Sequence, residues 1–411
     1  MIGRDIGMEA LQLHHQYRGK IEIKSKVSIN DRYDLSLVYT PGVAKPCQMI
    51  AQNSGDIYKY TNKGNQVAVI SDGSAVLGLG NIGGKASLPV MEGKCILFKK
   101  FGGIDAFPIC LNSQDPSESI ATIKNITASF GGINLEDFKA PQCFLIEERL
   151  KQECDIPVFH DDQHGTAVIV LAGLYNALKI TGKQKEHVKI VVNGIGAAGT
   201  AICKLLHDSG FSHIIPCDRA GVIYPGVPGS SQPQQELAKI LNPHHQTGGL
   251  EQALRGADVF IGVSAPGIIT PEMIKTMADQ AIVFALANPE PEILPEAARA
   301  GGAGIIATGR SDYPNQINNV LAFPGIFRGA LDVRASVINE TMKIAAAKAL
   351  AEMVPEAQLT ENIIVPTPFD PSVCPKVAAA VAAAAQDSGV AALKISYQAE
   401  LYQVQQMLKK D

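Results

Sequence analysis

A run of three glycines between an apolar strand and a helix constrains the fold of this chain more than any other feature. The sequence GIGAAG occupies residues 194–199, directly after the strand pattern of residues 188–193. From residue 188 onward, short apolar strands alternate with helical segments, and this alternation predicts a parallel sheet with helices on both faces. We therefore expect a doubly wound α/β fold for this part of the chain.

The spacing of these glycines is typical of the dinucleotide-binding turn of Rossmann-type domains. The first glycine permits a tight turn, the second lets the backbone approach a pyrophosphate, and the third lets the helix pack closely on the strand. At the end of the next strand, Asp218 can bind the ribose hydroxyls of NAD, whereas Arg219 could hold the 2′-phosphate of NADP. The sequence therefore favours NAD and leaves NADP open. The predicted cofactor-binding residues here are Gly194, Gly196, Ala197, Ala198, Gly199, Asp218 and Arg219.

The first half of the chain has a less regular α/β pattern. Glycine-rich turns separate its short apolar runs, and a helix is expected after Pro116. Since 411 residues exceed one ordinary core, we expect an irregular N-terminal α/β domain over 1–158, a Rossmann-type domain over 159–355 and a helical tail over 356–411 that packs back on the first half. The alanine content and apolar spacing of residues 331–353 predict one helix. The expected N-terminal strands are Val67–Ile70, Cys95–Phe98 and Phe107–Leu111.

Composition excludes several classes of partner. The chain has 36 basic and 40 acidic residues, a net charge of −4, which predicts no binding to nucleic acid or to an anionic membrane. The uncharged run Gly165–Leu178 is too short to cross a membrane and predicts a buried helix. The N-terminus has no continuous apolar segment and the eight cysteines form no C-x-x-C pair, so we expect a cytoplasmic protein with reduced thiols.

Two acidic pairs could form a metal site. Glu136 and Asp137 follow an apolar run, and Asp161 and Asp162 precede the uncharged helix. Three carboxylate oxygens drawn from both places would suit Mg²⁺ or Mn²⁺, which prefer oxygen ligands. Either pair alone is explained as well by a helix cap or a solvated turn.

Other polar residues are candidates for proton transfer or ligand binding. Lys94 is expected in an apolar strand, where burial or a nearby metal would lower its pKa toward that of a useful base, although alone it could be a surface lysine. Tyr39 is expected in a turn after a strand. Asn288 follows a predicted strand and Asn318 lies in a polar loop, and strand ends in open α/β sheets bind ligands.

Read together, these segments resemble the malic enzymes, particularly the short bacterial form, over nearly the whole chain. Eight motifs occur in the family's order, which random composition would not supply. They are YTPGVA from residue 39, SDGSAVLGLGNIG from 71, PVMEGK from 89, NLEDF from 134, HDDQHGTA from 160, GIGAAG from 194, ANPEPE from 287 and YPNQINN from 313.

The resemblance implies an activity and a set of residue roles. The activity is oxidative decarboxylation of L-malate to pyruvate and CO₂ with reduction of NAD or NADP, together with decarboxylation of oxaloacetate, in a homodimer that needs Mg²⁺ or Mn²⁺. Asp161 would support the metal ligands without contacting the ion. Many longer malic enzymes carry an arginine where this chain has Ser74 and Ala75, so we expect the glycine-rich backbone around 78–83 to bind the substrate carboxylate. The implied roles are Lys94 as general base, Tyr39 as general acid, Glu136, Asp137 and Asp162 as metal ligands, and Asn288 and Asn318 as substrate-binding residues, Asn288 also lying beside the cofactor.

Three alternatives stay open. A relative that retains its NAD would convert malate to lactate without net reduction, and another metal-dependent dehydrogenase would oxidise a different 2-hydroxy acid. A module that only senses a dinucleotide would need no proton-transfer pair, so the combination of Lys94 with Tyr39 speaks against it.

Overall fold

The computed structural model describes residues 5–76 and 78–409 and contains two mainly parallel β-sheets. Met1–Arg4, at the start of the N-terminal segment, lie outside the described residues. The first sheet has four strands and the second has six. The mixed α/β class and the Rossmann-type sheet predicted from the sequence are confirmed.

The elements of the first half surround the four-stranded sheet. Its helices are α1 (Ile6–Tyr17), α2 (Arg32–Val38), α3 (Ala44–Gln52), α4 (Ile57–Tyr60), α5 (Gly83–Gly102), α6 (Pro116–Ile126) and α7 (Gln142–Glu153). Its strands are β1 (Gln66–Ser71), β2 (Asp105–Cys110), β3 (Gly132–Leu135) and β4 (Val158–His160).

The second half contains the six-stranded sheet and the C-terminal helices. Its strands are β5 (Lys189–Asn193), β6 (His213–Asp218), β7 (Gly221–Val222), β8 (Val259–Gly262), β9 (Ala281–Ala285) and β10 (Ala303–Thr308). Its helices are α8 (Asp161–Thr181), α9 (Ala197–Asp208), α10 (Gln232–Leu241), α11 (Leu250–Leu254), α12 (Pro271–Lys275), α13 (Pro295–Ala300), α14 (Phe323–Asp332), α15 (Glu340–Glu352), α16 (Val373–Asp387) and α17 (Tyr397–Leu408).

The six-stranded sheet has the order β10-β9-β8-β5-β6-β7 and is parallel except for the short edge strand β7. The chain leaves β5 toward β6 on one side and later returns to β8 on the other. The strand order therefore reverses at the carboxyl end of β5, where open α/β sheets bind ligands. The glycine turn at 194–199 lies at this point.

The four-stranded sheet is entirely parallel, in the order β2-β1-β3-β4. Its register pairs Leu135 at the end of β3 with His160 at the end of β4. The residues that follow these two strands therefore emerge side by side at one edge of the sheet. This register brings the acidic pair at 136–137 next to the acidic pair at 161–162.

The predicted strand Cys95–Phe98 is wrong, because these residues belong to the 20-residue helix α5. The buried positions Met91, Lys94, Cys95 and Phe98 recur every three or four residues, which is helical spacing. A short apolar run cannot by itself distinguish a buried strand from one face of a helix. Tyr39 likewise follows a helix, α2, rather than a strand.

The predicted helix over residues 331–353 is divided in two. Helix α14 ends at Asp332, and the Asn339 side chain accepts a hydrogen bond from the backbone N–H of Met342 to begin α15. Asparagine at a helix start stabilises a new helix in this way. The C-terminal helix α17 does pack back on the first half, since a Cβ on Gly103, directly after α5, would lie 2.8 Å from Cε of Met407.

One large apolar core joins both sheets. It includes residues from β1, β5 and α8, and α8 buries 14 of its residues, so the predicted buried helix at 165–178 is confirmed. All eight cysteines, each within the described ranges, are free thiols. In the part of the chain that the structure describes, no helix is long and apolar enough to span a membrane.

Candidate active site

A buried lysine lies between two carboxylates at the edge of the four-stranded sheet. Lys94 Nζ lies 2.8 Å from Glu136 Oε1 and donates a second, short hydrogen bond to Asp161 Oδ2. Glu136 directly follows β3 and Asp161 directly follows β4, so the strand register described above creates this contact. Three residues that are distant in sequence thus form one buried charged cluster.

Helix α5 contributes Lys94 to this cluster. The helix begins after the glycine-rich turn and buries the face that carries Met91, Lys94 and Phe98. The Lys94 ammonium lies 4.2 Å from the centroid of the Phe323 ring. This cation–π contact and the two carboxylates hold the ammonium in a fixed position.

The second acidic residue of each pair lies at the margin of the cluster. The Asp162 side chain accepts a 2.7 Å hydrogen bond from the backbone N–H of Asp137 and is partly exposed. Asp161 and Asp162 occupy the first turn of α8, where the helix dipole favours negative charge. Glu136 and Asp137 are buried. The four predicted acidic residues therefore adjoin one another.

Burial raises the pKa values of three of these carboxyl groups. It raises the pKa of Asp161 to about 8, although the Lys94 ammonium opposes the shift. Burial also raises the pKa values of Glu136 and Asp162 above their ordinary range. The cluster therefore holds more buried negative charge than one ammonium offsets.

The expected lowering of the pKa of Lys94 is wrong for this arrangement. Burial alone would lower it, but the carboxylates of Asp161 and Glu136 outweigh burial and raise the pKa of Lys94 above its usual value. Lys94 is therefore a protonated ammonium when these two carboxylates are its partners. It becomes a base only if other positive charge offsets those carboxylates.

The acidic residues fit a divalent cation by their chemistry. Carboxylate oxygens are the ligands that Mg²⁺ and Mn²⁺ prefer, and several acidic side chains adjoin here beside the single ammonium of Lys94. Oδ1 of Asp161 is buried and accepts no hydrogen bond among the described residues. Within the described ranges, however, no three acidic, histidine or cysteine side chains already converge around one point.

Sequence reasoning missed two amides that support the cluster. The Asn134 side chain donates a 2.9 Å hydrogen bond to Glu136, and the Asn319 side chain donates to Asp161. Asn134 lies two residues before Glu136 on a buried strand, which was the available signal. Of the two adjacent asparagines, the predicted Asn318 instead caps the turn that follows it, by accepting from the backbone N–H of Val320.

Ser74 has a structural role in the glycine-rich turn after β1. Its hydroxyl donates to Asp72 and accepts a 3.0 Å hydrogen bond from the backbone N–H of Lys139. The backbone N–H of Ala75 donates to the carbonyl of Asp137. These bonds join the glycine-rich turn after β1 to the segment that follows β3.

A cavity of about 830 Å³ lies over the glycine turn of the six-stranded sheet. Gly194 has φ 101°, which favours glycine, and a Cβ on Gly199 would lie 2.1 Å from the Gly194 carbonyl oxygen. A Cβ on Gly196 would meet nothing within 4 Å, so that backbone faces open space. The first and third glycines therefore shape the turn and the second leaves room for a ligand. Ala197 and Ala198 follow as the first two residues of α9.

Asp218 and Arg219 both line this cavity, at the end of β6. Asp218 is held by Gln234, whose amide donates 2.8 Å to Asp218 Oδ2 and 2.9 Å to the Ile195 carbonyl. Its other oxygen accepts from the backbone N–H of Arg219, whose side chain is exposed. The carboxylate is thus fixed relative to the glycine turn, which suits binding of a ribose diol.

Asn288 lies in the loop after β9, three residues beyond the end of the strand. Its side-chain amide donates 3.3 Å to the Leu286 carbonyl and lies against Gly309, where a Cβ would be 2.7 Å from Nδ2. Sequence reasoning missed the buried Glu292 nearby, which accepts from the backbone N–H groups of Ser264 and Ala287. Glu292 therefore joins the loops after β8 and β9.

Tyr39 is exposed, unlike the other predicted proton-transfer residue, Lys94, which is buried. Its side chain is 68% exposed, directly after α2. In the described part of the chain, the hydrogen-bond partners of Lys94 are Glu136 and Asp161, and no tyrosine is among them. One chain therefore brings together Lys94 and the acidic residues but does not add Tyr39 to them.

One short segment of the chain connects the charged cluster to the cavity over the glycine turn. Ala140 and Pro141 line the cavity, and they follow Asp137 by three and four residues. A dinucleotide turn with a buried acid–base cluster beside it is the arrangement of a dinucleotide-dependent oxidoreductase.

Comparison with known proteins identifies the family within that class. Residues 18–151 match the malic enzyme N-terminal domain and residues 163–386 match the malic enzyme NAD-binding domain. The chain is 57% identical to the bifunctional malic/malolactic enzyme of Bacillus subtilis, over 94% of this chain and 95% of that protein. It is also 57% identical to the NAD-dependent malic enzyme of Geobacillus stearothermophilus, over 91% and 78% of the two chains. The chain belongs to the malic enzyme family.

A solved structure shows the same fold. The crystal structure of malic enzyme from Pyrococcus horikoshii superposes with a TM-score of 0.94 at 49% identity, covering 98% of this chain and 96% of that one. The resemblance seen in the sequence motifs is therefore confirmed at the level of family and fold.

Proposed function

We propose that this chain oxidises and decarboxylates L-malate to pyruvate and CO₂ with reduction of NAD or NADP, NAD being favoured, and that it uses Mg²⁺ or Mn²⁺. The observation that carries the proposal is the buried Lys94 between Glu136 and Asp161, beside the cavity of the glycine turn. Such a group can accept a hydroxyl proton while a hydride leaves from the same carbon.

Glu136, Asp137 and Asp162 are the residues that would hold the cation. When bound, the ion supplies positive charge that offsets these carboxylates and stabilises charge on the substrate oxygen. Lys94 then has weaker carboxylate partners, which makes its neutral amine accessible. This accounts for the contrast between the raised pKa of Lys94 in the free chain and its proposed role as a base.

The chain's own residues divide the reaction into two proton transfers. Lys94 takes the proton of the C2 hydroxyl as the C2 hydride leaves toward the cavity at Gly194, which gives oxaloacetate. Loss of CO₂ leaves an enolate, and Tyr39 donates a proton to C3 to give pyruvate. We assign substrate carboxylate binding to the backbone of the glycine-rich turn around residues 78–83 and to Asn288 and Asn318, and positioning of Lys94 to Asp161.

The test is product stoichiometry with malate, Mn²⁺ and either nicotinamide cofactor. We expect one pyruvate for each reduced cofactor, faster turnover with NAD, and loss of both products in Lys94→Ala. Lactate without net reduction would instead support the malolactic alternative. Turnover of other 2-hydroxy acids but not of malate would refute the proposal.

The two proton-transfer roles are tested separately by partial reactions. Tyr39→Phe should still reduce added oxaloacetate, because protonation of C3 is not part of that step, whereas Lys94→Ala should not. Equal loss of every partial reaction in both variants would contradict the assigned roles.

A further inference from the structure

Helix α8, whose first turn carries Asp161 and Asp162, has no ordinary cap at its start. Most helices begin with a side chain that accepts a hydrogen bond from the first turn, and a Glu or Gln three residues later often accepts one from the backbone N–H of that capping residue. His160 occupies the capping position here, and its side chain makes no capping bond. Gln163, three residues later, donates its amide to Glu147 at 3.4 Å. The start of α8 is therefore held from outside the helix.

Glu147 of helix α7 supplies the missing acceptor. Its Oε1 accepts a 3.0 Å hydrogen bond from the backbone N–H of His160, although the two residues are 13 positions apart in the chain. The Glu147 side chain is buried. It does for α8 what a capping glutamate ordinarily does within its own helix. The two carboxylates of the first turn are thus left free to bond Lys94 and the backbone of Asp137.

Two lysines and a histidine hold the Glu147 carboxylate. Lys151 Nζ lies 2.8 Å from Glu147 Oε1 and 3.4 Å from His164 Nε2, so its ion pair is with Glu147. His164 Nε2 lies 2.9 Å from each oxygen of Glu147, and its other ring nitrogen, Nδ1, lies 3.1 Å from Lys343 Nζ. An ammonium only donates hydrogen bonds and a carboxylate only accepts them. Nδ1 of His164 therefore accepts, and Nε2 carries the proton that is donated to Glu147.

This network connects helices from both halves of the molecule. Glu147 lies on α7, His164 on α8 and Lys343 on α15. The Lys343 side chain is 2% exposed and forms a short ion pair with Glu340, which fixes its ammonium against the His164 ring. Lys343 thereby orients His164, and His164 orients Glu147. In the described part of the chain, the hydrogen-bond partners of Lys343 are His164 and Glu340, so it acts on the start of α8 without contacting the charged cluster itself.

We propose that Glu147 is a positioning residue for the divalent cation. By accepting from the backbone N–H of His160, it fixes the start of α8 and therefore the points from which Asp161 and Asp162 extend. This inference rests on the proposed function, in which Asp162 is a ligand of the ion. Groups that hold metal ligands in place contribute about 10- to 100-fold to metal affinity.

Mn²⁺ binding to Glu147→Leu tests the proposal. Electron paramagnetic resonance at equilibrium should show Mn²⁺ affinity weakened by about 10- to 100-fold. In malate turnover, the KM for Mn²⁺ should rise by the same factor while the KM for NAD stays at the wild-type value, a split that general loosening of the fold would not produce. The matched control is Glu148→Leu, the same change at the exposed neighbouring position of α7, which should bind Mn²⁺ as the wild type does.

Two further variants separate positioning from packing. Glu147→Gln keeps an oxygen that can accept from the His160 N–H, so it should bind Mn²⁺ about tenfold more tightly than Glu147→Leu. Lys343→Met should weaken Mn²⁺ binding in the same direction by a smaller factor, whereas Lys348→Met, at an exposed position on the same helix, should not change it. If Glu147→Leu does not fold, these variants decide, and wild-type Mn²⁺ affinity in Lys343→Met together with loss of affinity in Lys348→Met would overturn the proposal.

Amide hydrogen exchange gives a measurement that needs neither metal nor malate. We expect the His160 N–H to exchange at least about tenfold faster in Glu147→Leu than in the wild type, because its acceptor is gone, and at the wild-type rate in Glu148→Leu. Wild-type Mn²⁺ affinity or wild-type exchange in Glu147→Leu would overturn the proposal. A wild type that binds Mn²⁺ tightly but does not turn over malate would refute the proposed function alone, and a wild type that binds no Mn²⁺ would overturn both.

Discussion

Substitution of Gly165 by alanine should disable the lysine cluster without touching any charged residue. Gly165 lies one helical turn after Asp161 in α8, and a Cβ at this position would be 1.9 Å from Asp161 Oδ1 and 3.2 Å from Cβ of Asn319. Since no pair of atoms tolerates the first distance, the Asp161 carboxylate must turn away and lose its bonds to Lys94 and Asn319.

The size of the effect follows from what the cluster loses. Removing one partner of a buried ion pair costs about 3–5 kcal/mol, and Glu136 still contacts the ammonium, so we expect a cost of about 3 kcal/mol. At about 1.4 kcal/mol for each tenfold, this corresponds to a fall of about 100-fold in kcat if the cluster acts in the transition state. Steady-state kinetics with malate and a thermal unfolding curve measure the two effects.

Gly93→Ala is the matched control. It makes the same change in helix α5, next to Lys94, but its Cβ would lie 3.5 Å from its nearest neighbour, an ordinary contact. We expect wild-type kcat and melting temperature for this variant. If Gly165→Ala also keeps the wild-type kcat, the position of Asp161 does not matter and our account of Lys94 is refuted.

Two further predictions concern other parts of the fold. Burial and the nearby Asp332 raise the pKa of Glu400 to about 8. The folded state therefore holds this proton more tightly than the unfolded chain does, and the free energy of unfolding should fall as pH rises from about 4.5 to about 8. Glu400→Gln should remove this fall and stabilise the chain by a few kcal/mol at pH 9 but not at pH 4. Asp218→Ser should raise the KM for NAD by about tenfold and increase the kcat/KM for NADP relative to that for NAD. Gln234→Leu should act in the same direction more weakly, because it removes the amide that holds the Asp218 carboxylate.

Each of these has a simple check. For Glu400, the control is Glu352→Gln, which alters an exposed glutamate and should have the melting curve of the wild type at every pH. If the stability of Glu400→Gln depends on pH as that of the wild type does, the raised pKa of Glu400 is contradicted. For Asp218, steady-state kinetics are measured with NAD and with NADP. If the ratio of the kcat/KM values for the two cofactors is unchanged in Asp218→Ser, Asp218 does not contact the ribose.

The regular part of the fold was predictable because local and long-range signals agree there. The glycine turn shows this agreement: Gly194 takes a positive φ and Gly199 allows close approach, as the sequence spacing required. Helix α5 was missed because its apolar run resembles a strand, and only the wider spacing of its buried positions reveals the helix. The break before α15 depends on one asparagine cap, which averaged helix propensity does not detect.

The candidate site was predictable as a set of residues but not as a geometry. Its acidic pairs are visible in the sequence, whereas their contact depends on the register that pairs Leu135 with His160. The pKa of Lys94 depends on two carboxylates 42 and 67 residues away along the chain. The exposure of Tyr39, directly after α2, is a tertiary property that its turn motif does not encode.

The most direct test of the central claim is a count of bound Mn²⁺ per chain, by electron paramagnetic resonance at equilibrium, in the wild type and in Asp162→Asn. The claim is that the buried carboxylates beside Lys94 hold a divalent cation and thereby free the lysine to act as a base. We expect one tightly bound ion per wild-type chain, weakened by about 100-fold or more in the variant, with Glu352→Gln as the unaffected control. Equal Mn²⁺ binding by the wild type and Asp162→Asn would contradict the account.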